Sequence, residues 1–385
     1  MKIKDSWLNQ PETQAVCAVL TENGAQALFV GGCVRNALLG VAASDLDIAT
    51  DALPEQVIEW GTDAKLKVIK TGIDHGTVTV VSNGVPFEVT TFRRDVETDG
   101  RRAVVAFTKE ISEDARRRDF TMNALYAHPD GTVVDPLGGL DDLIAGRVRF
   151  IEDASQRILE DYLRILRFFR FTAWYGNPDL GFDADALDAI ATHLVGLITL
   201  SKERVGTEML KLLAATDPAP AVATMRSLNV LTSVLPGADD RGLGPLIHLE
   251  GVVNVRPDPL RRLAALGGET PDLNLRLSKA QARKVSDLRN IATSSMGPHE
   301  MGYRYGIEFS SDAILVRCAL LETVFDQMDL LSAETGAGSV FPIVAADLMP
   351  GVTGQALGER LRELEKSWIA SGFTLSKADL LRDLS

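Results

Sequence analysis

The hydrophobic period of this chain changes once, near residue 152, and that change limits the folds open to it. From Ala25 to Phe150 short β-rich runs alternate with helical ones: ALFVGG, LDIAT, KLKVI, TVTVVS, PFEVTTF and RVRFI, with helical pattern around Val34–Leu39 and Pro54–Ala64. Beyond it, segments such as SQRILEDYLRILRFFRFTAWY and ERVGTEMLKLLAA place apolar residues at helical spacing, and strand-like stretches are few. The expected fold class is α+β: a small mixed α/β domain over residues 1–150, then helical regions over 151–215 and 216–385. Asn83-Gly84, Asp99-Gly100 and Asp130-Gly131 are turn signals, and the last reads as a hairpin tip between ALYAH and TVVDP. The later strands are therefore expected to be antiparallel.

At 385 residues the chain exceeds a single comfortable core, which agrees with several modules. No apolar run approaches the length of about 18 residues that a membrane helix needs, and MKIKDSWLNQ lacks a secretory apolar core, so a soluble cytoplasmic protein without a membrane partner is expected. Cys17, Cys33 and Cys318 are scattered and form no CxxC pair, which reads as ordinary buried thiols. The five histidines never approach metal-ligand spacing, so zinc-hydrolase chemistry has no basis.

A net charge of −13 argues against a polyanionic partner unless cations are gathered locally. Residues 256–284 hold Arg256, Arg261, Arg262, Arg276, Lys279, Arg283 and Lys284 against Asp258, Glu269 and Asp272, a local balance of +4. A basic face and an ordinary solvated helix surface both fit that count.

In Ser44-Asp45-Leu46-Asp47-Ile48 a strand would send both aspartates to one face, with side chains on the order of 7 Å apart. Two such carboxylates can hold Mg²⁺ ions, which favour carboxylate oxygens together with substrate phosphates. Alone, the pattern is common in solvated loops. Just upstream, Val30-Gly31-Gly32-Cys33-Val34-Arg35-Asn36 ends an apolar strand in two glycines and enters a short helix, where close backbone and exposed amides suit a triphosphate. Glu88, in Pro86-Phe87-Glu88-Val89-Thr90, alternates with apolar neighbours; it faces either the same site or plain solvent.

A glycine pair, then DxD, then a carboxylate on another strand resembles the DNA polymerase β nucleotidyltransferase superfamily. The run Arg117-Arg118-Asp119-Phe120-Thr121-Met122-Asn123-Ala124-Leu125 is similar to the RRDFTxNAL element of class II tRNA nucleotidyltransferases and bacterial poly(A) polymerases. Asp135-Pro136-Leu137-Gly138-Gly139, Glu160-Asp161-Tyr162-Leu163-Arg164-Ile165-Leu166-Arg167, and Glu203-Arg204 with Glu208 and Lys211 resemble later elements in the expected order. The resemblance covers roughly residues 28–213, with a weaker likeness around Ala345–Leu348 and Gly354–Trp368. It implies a polymerase-β-like nucleotidyltransferase head over 1–150, a nucleotide-selecting neck over 151–215, and a tRNA-binding body and tail over 216–385. It further implies Asp45 and Asp47 as metal ligands, with Glu88 as a third catalytic carboxylate. Gly31, Gly32, Arg35, Arg117, Arg118, Asp119, Asn123, Glu160, Asp161, Arg164 and Arg167 then bind nucleotide, with Asp119 orienting an arginine.

Asp161 and Arg164 also admit a direct physical reading. At i and i+3 they share a helix face, and a carboxylate with a guanidinium matches the amino donor and ring-nitrogen acceptor that cytosine and adenine both present. Uracil and guanine present the opposite polarity. Phe168, Phe169, Phe171 and Trp174 read as core rather than base-stacking groups. The polar stretch from Arg93 to Thr108 resembles the family's mobile loop, a surface hairpin being the plainer reading. One position departs from the family pattern GGxVRD: Asn36 stands where aspartate is usual. The expected activity is addition of CMP and AMP from CTP and ATP to the 3′ end of tRNA; poly(A) addition and a silent RNA-binding protein are the rivals, and monomer or homodimer is left open.

Overall fold

The computed structural model describes residues 1–42, 45–99, 102–349 and 351–382. Ser44 of the DxD run and Gly100 of the 99–100 turn lie outside the described residues. The chain divides into two compact units, Met1–Glu208 with Ser227–Ser233, and Met209–Arg226 with Val234–Ser385.

The first unit is built on strands β1 (Leu28–Val30), β2 (Asp47–Thr50), β3 (Lys67–Gly72), β4 (Thr77–Ser82), β5 (Val85–Thr91), β6 (Arg93–Asp99), β7 (Arg102–Phe107), β8 (Tyr126–Ala127) and β9 (Val133–Val134). Seven of these form one sheet in the order β3-β4-β5-β2-β1-β8-β9. Neighbours are antiparallel except β2 and β5, which run parallel. Asn83 and Gly84 both take positive φ (48° and 87°), the backbone a tight β4–β5 turn requires, and Gly131 does the same at 81° between β8 and β9.

Strand alternation sorts the two faces. Phe29, Ile48, Val78, Val80, Phe87 and Val89 are buried on one of them, against helices α1 (Pro11–Thr21) and, after α2 (Gly32–Leu38), α3 (Pro54–Asp63). Leu28, Val30, Ala49 and Tyr126 belong to the other and pack with Phe92, Ala115, Ala124 and Ile151. Asp47 shares this second face with Ala49.

Strands β6 and β7 pair antiparallel in a two-stranded sheet separate from the main one. RVRFI was expected as a strand and is not one: Phe150 makes only an isolated bridge with Phe120. The apolar run there serves an aromatic cluster instead, with Phe150 stacked at 5.7 Å on Phe168 and Phe120 at 4.8 Å from Phe171. Helices α4 (Ile111–Arg116), α5 (Gly139–Ala145), α6 (Ala154–Glu160), α7 (Leu163–Tyr175), α8 (Ala184–His193) and α9 (Lys202–Leu213) follow. Phe168, Phe169 and Phe171 are buried on α7, whereas Trp174 is 47% exposed, so the core assignment fails for that residue near the helix end.

The second unit is helical. Leu246, Ala265, Ala292, Leu315, Val316 and Ala319 form one cluster, and Ile343, Leu348, Leu364, Trp368 and Leu380 another. Two residues of the expected basic stretch are interior: Arg261 and Arg262 are 3% and 1% exposed and share the buried Glu250. Arg262 also donates to the carbonyls of Leu213, Ala215 and Thr216. These guanidiniums satisfy buried acceptors and leave no charge for a basic face at their positions. Among the described residues no helix is long and apolar enough to cross a membrane. Cys17, Cys33 and Cys318 are buried free thiols.

Candidate active site

Asp47 opens β2 and is the direct register partner of Glu88 on β5. Thr79 on β4 continues the same row. Asp45 precedes the strand, so strand alternation does not place it; it lines the same cleft nonetheless. That cleft, of about 720 Å³, is bounded by Asp45, Leu46, Asp47, Thr79, Val85, Pro86 and Glu88, with Ala42 and Asp5, Ser6, Trp7 and Gln10 from the N-terminal segment. Burial and the charge of Glu88 push the Asp47 carboxyl up to about 6; Arg118 opposes the shift and Asp45 adds to it.

Like charge accumulated against desolvation is what a hard divalent cation relieves, and carboxylate oxygens are the donors such a cation prefers. Among the described residues no three His, Cys, Asp or Glu side chains form a ready ligand group. One or two carboxylates completed by substrate phosphates is the usual way Mg²⁺ is held, and Asp45 with Asp47 fits that pattern.

On the other side of β2 lies the glycine turn. Gly31 has φ +72°, and a Cβ there would lie 3.5 Å from Arg118 Nη1 and 3.8 Å from the Asn123 carbonyl oxygen. Gly32 begins α2. Behind the turn a lattice of arginines and carboxylates is packed. Asp114 accepts from Arg117 Nε at 2.8 Å, Arg118 Nη2 at 3.2 Å and the Tyr126 hydroxyl at 2.7 Å. Burial alone would raise its carboxyl, but Arg118 and Arg117 hold it down to about 2. Asp119 accepts from Asn123 Nδ2 at 3.0 Å and from Arg167 Nε at 2.6 Å, and it too is held at about 2 against its burial, chiefly by Arg167.

Arg35 is buried and spans to α7. Its Nη1 donates to Asn123 Oδ1 at 2.8 Å and its Nη2 to the Tyr175 hydroxyl at 2.9 Å, with the guanidinium 4.1 Å from the Tyr175 ring centroid. Arg167 and Arg170 flank the Phe171 ring at 5.2 Å and 4.8 Å, and Arg170 Nε pairs with Glu208 at 2.6 Å.

The pairing of Asp161 with Arg164 on one helix face is corrected by the structure. The helix breaks at Asp161, whose φ of −156° and ψ of 106° are extended, so the two residues do not share a helical face. Asp161 Oδ1 instead accepts from the Leu163 N–H at 3.1 Å, and Oδ2 pairs with Arg204 at 2.6 Å. Arg164 Nη1 binds Glu160 at 2.5 Å and the Arg157 carbonyl at 2.9 Å, while Nη2 donates to the Arg117 carbonyl at 2.8 Å. Glu160 is shared with Arg157. Arg204, Asp114, Tyr126 and Tyr175 were absent from the expected site. Asp114 was findable, three and four residues before Arg117 and Arg118 on a helical stretch; Tyr126 and Tyr175 have no local signal.

The family described as poly A polymerase head domain matches residues 27–149, and the one described as probable RNA and SrmB-binding site of polymerase A matches 179–241. The human mitochondrial CCA tRNA nucleotidyltransferase 1 is 34% identical over 375 residues, spanning 92% of this chain and 85% of its own. This chain belongs to the CCA tRNA nucleotidyltransferase family. A CCA-adding enzyme of Geobacillus thermodenitrificans is 40% identical over 227 residues, 58% of this chain and 54% of that one. The fold agrees with the family: the Bacillus stearothermophilus CCA-adding enzyme in complex with CTP superposes with a TM-score of 0.71 at 25% identity, covering 94% of each chain. The Thermotoga maritima CCA-adding enzyme complexed with tRNA, at TM-score 0.71 and 18% identity over 100% of this chain and 98% of that one, shares the fold.

Proposed function

We propose that this protein adds CMP and AMP from CTP and ATP to the 3′ end of tRNA without a nucleic-acid template, releasing pyrophosphate. The observation that carries the reading is the Asp47–Glu88 register pair, which shares its cleft with Asp45 beside the Gly31 turn. A divalent cation at Asp45 and Asp47, Mg²⁺ in this reading, supplies the Lewis acidity that lowers the pKa of the RNA 3′ hydroxyl and shields phosphate charge. Gly31 and Gly32 let the triphosphate approach the backbone, and Arg118 offers its donors beside them. Glu88 lies on the flank of Asp47 away from the glycine turn, which suits the attacking hydroxyl facing the leaving pyrophosphate in line.

Base choice rests on Asp161 and Arg164. They lie on either side of the α6–α7 break, each held by its own partner, Arg204 and Glu160 respectively. A carboxylate and a guanidinium so held match the shared edge of cytosine and adenine. The reading takes residues 1–150 as head, 151–215 as neck and 216–385 as a tRNA-binding body and tail, and the cytoplasm as the compartment, which fractionation of a tagged chain tests.

Poly(A) addition is the second reading, favoured by the description of the matching head family; the relatives named as CCA enzymes favour the first. Incubating the protein with Mg²⁺, all four NTPs and tRNA lacking its terminal CCA, then sequencing the 3′ ends, separates them. CCA ends are expected. A homopolymer of A overturns the tRNA reading, and no metal-dependent incorporation overturns the enzymatic one.

A further inference from the structure

Asn36 is occupied at both ends of its side chain. Its Oδ1 accepts from Arg35 Nε at 3.2 Å and Nη2 at 3.0 Å, while its Nδ2 donates to the Ala42 carbonyl at 3.2 Å. Chemistry fixes this orientation, because a guanidinium offers only donors and must face the amide oxygen. The backbone carbonyl of Asn36 accepts from the Leu39 N–H at 3.1 Å and the Val41 N–H at 2.9 Å. One residue thus ties down the segment that leaves α2 through its backbone and its side chain together. Ala42 and Asp45, three residues apart, line the same cleft.

We propose that Asn36 is a positioning residue for Asp45, its neutral amide acting as a two-way clip between Arg35 and the Ala42 carbonyl. The proposal rests on the reading of Asp45 as a carboxylate of the transfer site. An aspartate at this position would still accept from Arg35, yet it has no proton for the Ala42 carbonyl and would set like partial charges face to face. The amide, rather than a negative charge, is what this segment requires. Arg35 extends the restraint inward through Asn123 to Asp119 and Arg167. The stretch from Leu39 to Ala42 is thereby tied through Arg35 to α7, a rigid element, as well as to α2.

The test compares Asn36→Asp with Asn36→Gln in the full chain. Loss of the Ala42 hydrogen bond is expected to speed backbone amide exchange of the 39–46 segment by about fivefold in metal-free Asn36→Asp. It should also lower kcat for incorporation by roughly ten- to a hundredfold while leaving the KM for tRNA unchanged. Asn36→Gln, which keeps an acceptor and a donor, should recover most of both. Should Asn36→Asp fail to fold, Asn36→Ala removes the donor without adding charge and reads the same exchange. Wild-type exchange in the Asp or Ala variant, or equal losses in Asp and Gln, overturns the proposal. A wild-type protein that incorporates nothing overturns the functional reading, while the exchange result still decides the clip.

Discussion

Asp47 and Glu88 are direct partners across the parallel pair β2–β5, and the cost of placing them there falls on Asp47. Its carboxyl is raised from 3.8 to about 6, so the folded protein holds this proton more tightly than the unfolded chain. The metal-free fold therefore carries a penalty above about pH 6 that is relieved as pH falls toward 4. Asp47→Asn should raise the stability of the metal-free protein at pH 8 by about 1 kcal/mol, allowing for solvent screening, and leave it unchanged near pH 4. Incorporation should be lost at both. Calorimetry in the presence of a chelator checks the first; equal melting at pH 8 would contradict it.

The paired carboxylates behind the glycine turn act with the opposite sign. Asp114 and Asp119 are held at about 2 by their arginines, so their contribution to stability is complete above the ordinary carboxyl range and drains away as pH falls from about 4 to about 2. Asp119→Ala leaves the guanidinium of Arg167 with less to face in the interior and should cost about 3 kcal/mol at pH 7. Urea unfolding at pH 7 and pH 3 measures both; a variant as stable as wild type at pH 7 would remove Asp119 from this role.

Arg204 holds Asp161 Oδ2 at 2.6 Å, while the Leu163 N–H holds Oδ1 at 3.1 Å. If Asp161 reads the base, Arg204→Ala should raise misincorporation of UMP and GMP by about tenfold, an orientation loss of the order of one hydrogen bond to a charged group. Single-nucleotide incorporation assays with each NTP give the ratio. An unchanged ratio with lowered turnover would make Arg204 structural.

In the second unit Arg262 meets Glu250 and three backbone carbonyls while 1% exposed. Arg262→Ala should lose about 3–5 kcal/mol, because Glu250 and the carbonyls are left buried with fewer donors. Activity per folded molecule at low temperature should hold. Denaturant titration of that unit reads the loss, and a shift under about 1 kcal/mol would show that water replaces the guanidinium.

The glycine turn, the aspartate run and the Glu88 strand were readable because alternation and turn chemistry are local. Their assembly was not. Register between β2 and β5 depends on a pairing of strands that are not consecutive, and alternation is silent on direction, so the parallel pair has no local signal, whereas the later strands joined by the turns pair antiparallel as expected. Glu160 to Tyr175 contains no proline or internal glycine and reads as one helix; the break at Asp161 is stabilised by its own carboxylate capping Leu163, a cap preference the apolar periodicity masked. Arg261 and Arg262 misled for the reverse reason, since a charged pair looks solvated until Glu250 is found across the helices.

The parallel crossover from β2 to β5 also sets when activity can first exist. Its two carboxylates come from segments roughly forty residues apart, so the long intervening loop must close before they meet. A growing polypeptide already carries Asp45 and Asp47, but Glu88 does not stand beside them until β5 has docked, so a partly unfolded head lacks the full set of carboxylates. Damage anywhere between Pro54 and Ser82 should therefore reduce the number of working molecules before it alters the rate of any one of them.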